Sequence, residues 1–288
     1  MRRLAGFALA VATSVAAGCV EAKPPVWVVR DGDSEMVLFG SIHVLPPGVD
    51  WRSKALMRAV KRAQDVWFEL PVDPAVADES SRLALRSGLL PQGQSLSKLL
   101  APDDARRMAK VAIDYGVDPA MLEAFQPWLA EQALAGAVYR RAGASDDHGV
   151  EETLSAAAPR RAARRAFETA AEQIGFFAQA PRAEQVASLN QTVRDMEGAP
   201  DEFALLVQAW IAGDLAAIDR LALDPLEAAA PTLFRRLVVE RNTRWAAALD
   251  QRLKGRGRTV VVVGIGHLVG PEGLPARLRA LGYSVKGP

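Results

Sequence analysis

Two stretches near opposite ends of the chain share one pattern. "VLFGSIHVLPPG" runs from Val37 to Gly48, and "VVVGIGHLVGPEG" from Val261 to Gly273. In each, an apolar run leads into Gly-x-x-His, then an apolar residue and, within a few positions, a Pro and a Gly. Short apolar runs rich in β-branched residues form strands buried on both faces. If the two strands are neighbours, both ends of the chain meet in one sheet, and everything between them must leave that sheet and return.

The rest of the chain fits this frame. Val26 to Arg30, a polar "DGDSE" and Met36 to Phe39 predict a β-hairpin. "SKALMRAVKRAQ" places Leu56, Val60 and Ala63 on one helical face with Ser53 as N-cap, and "DVWFEL" follows as a strand. Strand, helix and strand at this spacing predict a βαβ crossover. From Pro74 to about Arg252 the pattern is mostly helical. "PDDARRMAKVAIDYG" opens on Pro and acids and stops at Gly116, and Pro127 opens a helix through Arg141. Further helices are predicted over Arg182–Met196, Glu202–Ala212, Leu215–Leu221 and Thr232–Leu253. A short strand near Ala166–Phe167 is consistent with "RRAFETAAEQ", and "GLPARLRALGYSV" predicts a closing helix and strand. The expectation is an α/β fold: a mixed central sheet built from both ends of the chain, with a long helical insertion over about 74–252, all in a single domain over 24–288.

The N-terminus has a separate character. "MRRLAGFALAVATSVAAGC" has two arginines, an uncharged stretch from Leu4 to Gly18, and then Cys19. The stretch is shorter than the roughly 20 residues a spanning helix needs, and it has the layout of a secretory signal over residues 1–18. Cys19 is the only cysteine, so the chain has no internal disulfide. Its setting after "VAAG" resembles a lipoprotein cleavage site, with Cys19 as the first mature residue and a lipid anchor; ordinary cleavage after Ala17 or Ala22 is the other reading. Either way the expected location is exported and periplasmic. The formal charge of +1 supplies no field that would attract nucleic acid.

The chemistry concentrates at the two stanzas, which hold two of the three histidines. In both, the His lies just past the end of a strand, where ligands gather in open α/β sheets. Gly40 and Gly264 lack a Cβ, so backbone or substrate can come close and positive φ is allowed. "DVWFEL" delivers Glu69 to the same rim. Two imidazoles, His43 and His267, with one carboxylate form a common catalytic metal shell that leaves positions for water. A serine nucleophile has less support: there is no Gly-x-Ser-x-Gly, and Ser41 at a strand end is ordinarily structural. His148, within "SDDHGVEE", reads as part of a solvated loop and helix start rather than a metal site. Arg160, Arg161, Arg164 and Arg165 read as a solvated helix face, and Trp128, Trp210 and Trp245 as core.

"LFGSIHV", "WFEL", "AWIAGDLAAI", "ERNTRW" and "VVVGIGHLVGPEGLPARLRALGYSV" together resemble the TraB/GumN family, related to the Tiki metalloproteases. The resemblance spans nearly the whole chain after the signal, and its most specific parts are the C-terminal stanza and "ERN". The family pattern maps onto Gly40 and His43, Glu69, Arg241 and Asn242, and Gly264 and His267. "FETAAEQ" resembles a further family segment and adds Glu168, although "PRRAARRAF" before it is more basic than the apolar run usual there. The resemblance implies metal-dependent hydrolysis of peptide bonds in a peptide or protein substrate, with a divalent ion (Mn, Co or Zn) on His43, His267 and Glu69. Glu69 would be ligand or general base, Arg241 would stabilise an oxyanion or grip a substrate carboxylate, and Asn242 would orient the peptide. The competing reading is a non-catalytic periplasmic module that binds a peptide or haem-like ligand in the same pocket.

Overall fold

Six strands make one sheet: Val26–Arg30 (β1), Ser34–Ser41 (β2), Asp65–Phe68 (β3), Ala163–Ala166 (β4), Gly257–Gly264 (β5) and Ser284–Lys286 (β6), in the order β4-β3-β5-β2-β1-β6. They belong to a computed structural model that describes residues 24–144 and 149–288. The signal-like Met1–Gly18 stretch, Cys19 and His148 lie outside the described residues.

The two stanza strands are direct neighbours. β2 and β5 run parallel, with Gly40 opposite Val263 and Ser41 opposite Gly264. β3 flanks β5 on the other side, also parallel, and β4 is parallel to β3. The carboxyl ends of four strands therefore gather along one rim. The β1–β2 hairpin and β6 add antiparallel pairs at the other side of the sheet. Val260 to Val263 are each at most 1 % exposed, as a central strand covered on both faces requires. The crossover from β2 to β3 is the helix Lys54–Arg62, capped by Ser53, whose side chain accepts the Leu56 N–H; Leu56 and Val60 are its buried residues.

Among the described residues, the regular structure of the insertion is helical except for β4 and an isolated bridge between Leu89 and Phe125, and part of it has a core of its own. Helices Pro102–Asp114, Pro127–Arg141 and Arg182–Gly198 bury Met108, Val111, Leu134, Leu189 and Val193 against one another. Trp128, Trp210 and Trp245 are all buried, as expected. Trp210 also donates its indole N–H to the Gly40 carbonyl at 2.8 Å, which fixes the end of β2.

Two local expectations change. The arginines around β4 are solvated, but not on a helix. Arg160 and Arg161 lie in a turn, and Arg164 and Arg165 lie on β4, which forms a sheet edge. Charged side chains keep such an edge from pairing with other strands. Arg164 donates to the Ser155 and Ala158 carbonyls at the end of helix Val150–Ala157, and Arg165 lies over the Trp67 ring. The predicted helix over Thr232–Leu253 is three segments: an α-turn at Pro231–Phe234, a π-helical turn at Arg235–Glu240, and an α-helix at Arg241–Leu253. A π-turn rotates the residues that follow it relative to a continuous α-helix. Here those residues are Arg241 and Asn242.

The glycine at the end of β2 is a matter of space. Neither Gly40 nor Gly264 has positive φ. A Cβ on Gly40 would lie 2.3 Å from Ile265 Cδ1 and 3.0 Å from Ile265 Cα, so the two stanzas touch where Gly40 has no side chain. Gly40→Ala is therefore expected to cost about 1–3 kcal/mol by overpacking, read from the denaturant midpoint. An unchanged midpoint would mean that the stanzas do not press together there.

Candidate active site

The rim assembles from the four parallel strand ends. β2 leads to Ser41 and His43, β3 to Glu69, β4 to Glu168, and β5 through a short turn at Ile265–His267 to His267. The ladder continues one step past β3 and β4, because the Glu168 N–H donates to the Glu69 carbonyl at 3.0 Å. Glu69 and Glu168 consequently stand side by side.

Arg241, 5 % exposed, sits between these carboxylates. Its Nε donates to Glu168 at 2.9 Å, and Nη2 donates to Glu69 at 2.6 Å and to Glu168 at 2.8 Å. Nη1 donates to the Leu237 carbonyl at 3.2 Å and to His267 Nε2 at 3.0 Å. All five guanidinium N–H groups are thus committed within the protein. The ring of Trp245 packs 4.6 Å from the guanidinium and 4.4 Å from the His267 ring, and donates its N–H to Glu168 at 3.1 Å.

Because Arg241 can only donate, His267 Nε2 must be the unprotonated nitrogen and Nδ1 must carry the hydrogen. Nδ1–H donates to Asn242 Oδ1 at 2.8 Å. Asn242, fully buried, uses its amide N–H groups on the carbonyls of His267 at 3.3 Å and Glu272 at 2.8 Å. Asn242 therefore fixes the ring and tautomer of His267 and keeps no group for a substrate.

His43 is held from the other side. Its Nδ1–H donates to Glu151 Oε1 at 2.8 Å, and the Ser41 hydroxyl donates to the same oxygen at 2.5 Å. Sequence reasoning missed Glu151. It lies in the acid-rich run after His148, in the first turn of helix Val150–Ala157, and no spacing ties that run to β2. Gln173, also missed, reaches Glu69 Oε2 at 3.4 Å.

The open centre lies over Gly264. A Cβ there would be 3.2 Å from Glu69 Oε1, 3.4 Å from His43 Nε2 and 3.9 Å from His267 Cδ2. All three groups predicted from sequence thus converge on one small cradle that glycine leaves empty. The cradle opens into a cleft of 380 Å³. Among the described residues, no three His, Cys, Asp or Glu side chains stand grouped so as to hold a metal ion; His267 Nε2 is turned to Arg241.

Three titrations follow from this geometry. Burial pushes the Glu69 carboxyl up, but Arg241 and the Gly264 N–H, which donates to Oε1 at 2.6 Å, pull it well below the usual carboxylate range. Burial lowers His43, and the facing Glu151 carboxylate outweighs that and raises it to about 9, although 62 % of the side chain is open to the cleft and water there screens the pair. Burial, reinforced by Arg241 against the pull of Glu69, lowers His267 to about 3. The unfolded chain therefore takes up a proton at His267 near its ordinary pKa, while the folded chain refuses it down to about 3. This group contributes stability fully above roughly pH 6.5 and loses it as the pH falls. Wild-type stability is expected to drop between about pH 6.5 and 3 with a slope of up to ~1.4 kcal/mol per pH unit from this residue, and His267→Gln should flatten that slope in denaturant titrations. An unchanged slope in the variant would mean that His267 is not held neutral.

The sequence profile of the TraB/PrgY/gumN family matches residues 25–287, nearly the whole chain. No curated protein and no solved structure matches it.

Proposed function

The chain belongs to the TraB/PrgY/gumN family, and from that premise we propose that it hydrolyses peptide bonds with a divalent metal ion held by His43, Glu69 and His267. The observation that carries this reading is the way the two histidines are held. Each gives its Nδ1–H to an orienting oxygen, of Glu151 or of Asn242, and each turns Nε2 towards the neighbourhood of Glu69. Ligating histidines are held in this manner, with the second nitrogen tied to a carboxylate or amide oxygen. Gly264 keeps the space between them clear. The donor set of two imidazoles and a carboxylate suits Mn, Co or Zn. Arg241 occupies the His267 lone pair here and Glu151 favours protonated His43, so the guanidinium contact and the His43 Nε2 proton would both have to be given up for an ion to bind.

Bound there, the ion would supply Lewis-acid polarisation of the scissile carbonyl and of the attacking water. The side chains do the positioning. Glu69 is held ionised by Arg241 and the Gly264 N–H, which suits an anionic ligand better than a general base, whose pKa should lie near the working pH. Arg241 braces Glu69 against Glu168, and Asn242 and Glu151 set the two imidazoles. Arg241 and Asn242 thus act through Glu69 and His267.

Two variants test this. With protein freed of metal by chelation and reloaded with Mn, Co or Zn, hydrolysis of a casein or peptide-library substrate should vanish and return. Glu69→Gln should lower turnover by at least about a hundredfold with the fold retained by circular dichroism. Glu151→Gln keeps a partner for His43 but loses the charge, and should lower turnover about ten- to a hundredfold. Wild-type protein that binds peptide yet never releases amine under any of these metals would leave a binding module instead.

Residues 1–18 are read as an export signal and Cys19 as a lipid-bearing first residue. Cys19→Ser should then move the protein from the membrane fraction to the soluble periplasmic fraction. An unchanged distribution would leave only an ordinary signal peptide.

A further inference from the structure

Besides His43, Glu69, Glu151 and Gln173, the cleft is lined by Phe68, Leu70, Pro71, Val72, Val76 and Ala77, an apolar wall that the chemistry above does not use. The last two belong to helix Pro74–Gly88, which is packed unlike the other long helices. Of its 15 residues only Gly88 is buried. That end is pinned, since a Cβ on Gly88 would lie 2.5 Å from Leu129 Cδ2 and 3.0 Å from the Trp128 ring. At the start, Asp73 caps the helix by accepting the Ala75 N–H. Between these anchors, Val76 and Ala77 face the cleft with little cover from the protein.

The charges lining the cleft are mostly acidic. Among the described residues Asp73, Glu151 and Glu152 line it along with Glu69, no Lys or Arg does, and the cationic group present is His43, paired with Glu151. A ligand carboxylate seated against Asp73 and Glu152 would lose water and meet like charge, the His43 cation being already paired with Glu151, and specific sites use such repulsion to reject partners. An apolar group would remove exposed apolar surface of Val72, Val76 and Ala77 from water.

We propose that this wall is a side-chain subsite: the substrate peptide lays an apolar side chain, of leucine or phenylalanine size, against Val72, Val76 and Ala77, and acidic side chains are excluded. The inference rests on the peptide-hydrolase reading, and it assigns specificity to a helix face that takes no part in bond cleavage.

The test uses the full chain and three capped, fluorescently labelled hexapeptides that differ only in one central residue: Leu, Ser or Asp. Anisotropy reads binding, and amine release is followed in parallel with metal-loaded protein. The Leu peptide should bind at least about tenfold more tightly than the Asp peptide, with Ser between them. Val76→Asp should erase that preference, and Val76→Lys should strengthen binding of the Asp peptide. Both changes lie on a helix that buries only Gly88, and their melting curves should match wild type. Equal affinities, a preference for Asp, no binding of any peptide, or a Leu preference unmoved by Val76→Asp would overturn the subsite. Leu-selective binding without amine release would contradict the hydrolase and leave the subsite standing. Amine release without side-chain preference would do the reverse.

Discussion

A single buried guanidinium holds the functional end of this molecule together. Arg241 has Glu69, Glu168, His267 and the Leu237 carbonyl as partners, and each of its donors is used. Removing a charge from water costs several kcal/mol, and Coulomb attraction offsets this only where geometry and hydrogen bonding are complete. Losing one member of such a group leaves a buried charge unpaired, at about 3–5 kcal/mol. The carboxylates, the imidazole and the arginine are therefore interdependent. The π-turn at Arg235–Glu240 belongs to the same device, because it sets the angle at which Arg241 and Asn242 leave their helix.

That device works only if distant segments meet in register. β2 and β5 come from opposite ends of the chain and pair along eight residues. A slip of one residue would turn every side chain of one strand to the other face. Buried valines on β5 and the Trp210 bond to the Gly40 carbonyl oppose such a slip. The two glycines then have separate tasks. Gly40 lets Ile265 approach, and Gly264 leaves open the space that Glu69 and both histidines border.

Much of this was legible in the sequence because it depends on strong local signals. The β-branched run at Val260–Val263, the Ser53 cap and the Pro-led helices each follow from propensity and periodicity. The convergence of His43, Glu69 and His267 followed from three strands ending at one rim. What was not legible depends on packing between segments that carry no shared pattern. Glu151 sits in an acid-rich run that reads as solvated, and only the fold brings it 2.8 Å from His43. The arginines of β4 obey neither helix nor strand periodicity clearly, and their place at a sheet edge is set by what β3 leaves unpaired. Arg241 and Asn242 were expected to meet the substrate; their hydrogen bonds are instead consumed in holding Glu69, Glu168 and His267, which no spacing could reveal. The π-turn leaves no composition signal at all.

In the proposed function, histidines from the two ends of the chain would serve one metal centre beside Glu69. X-ray absorption spectroscopy on protein carrying one equivalent of zinc addresses it directly, because imidazole ligands leave a recognisable multiple-scattering pattern. The wild type should show two imidazoles in the first coordination shell, one lost in His43→Gln and the other in His267→Gln. A shell with no imidazole, or one that is the same in wild type and both variants, would contradict it.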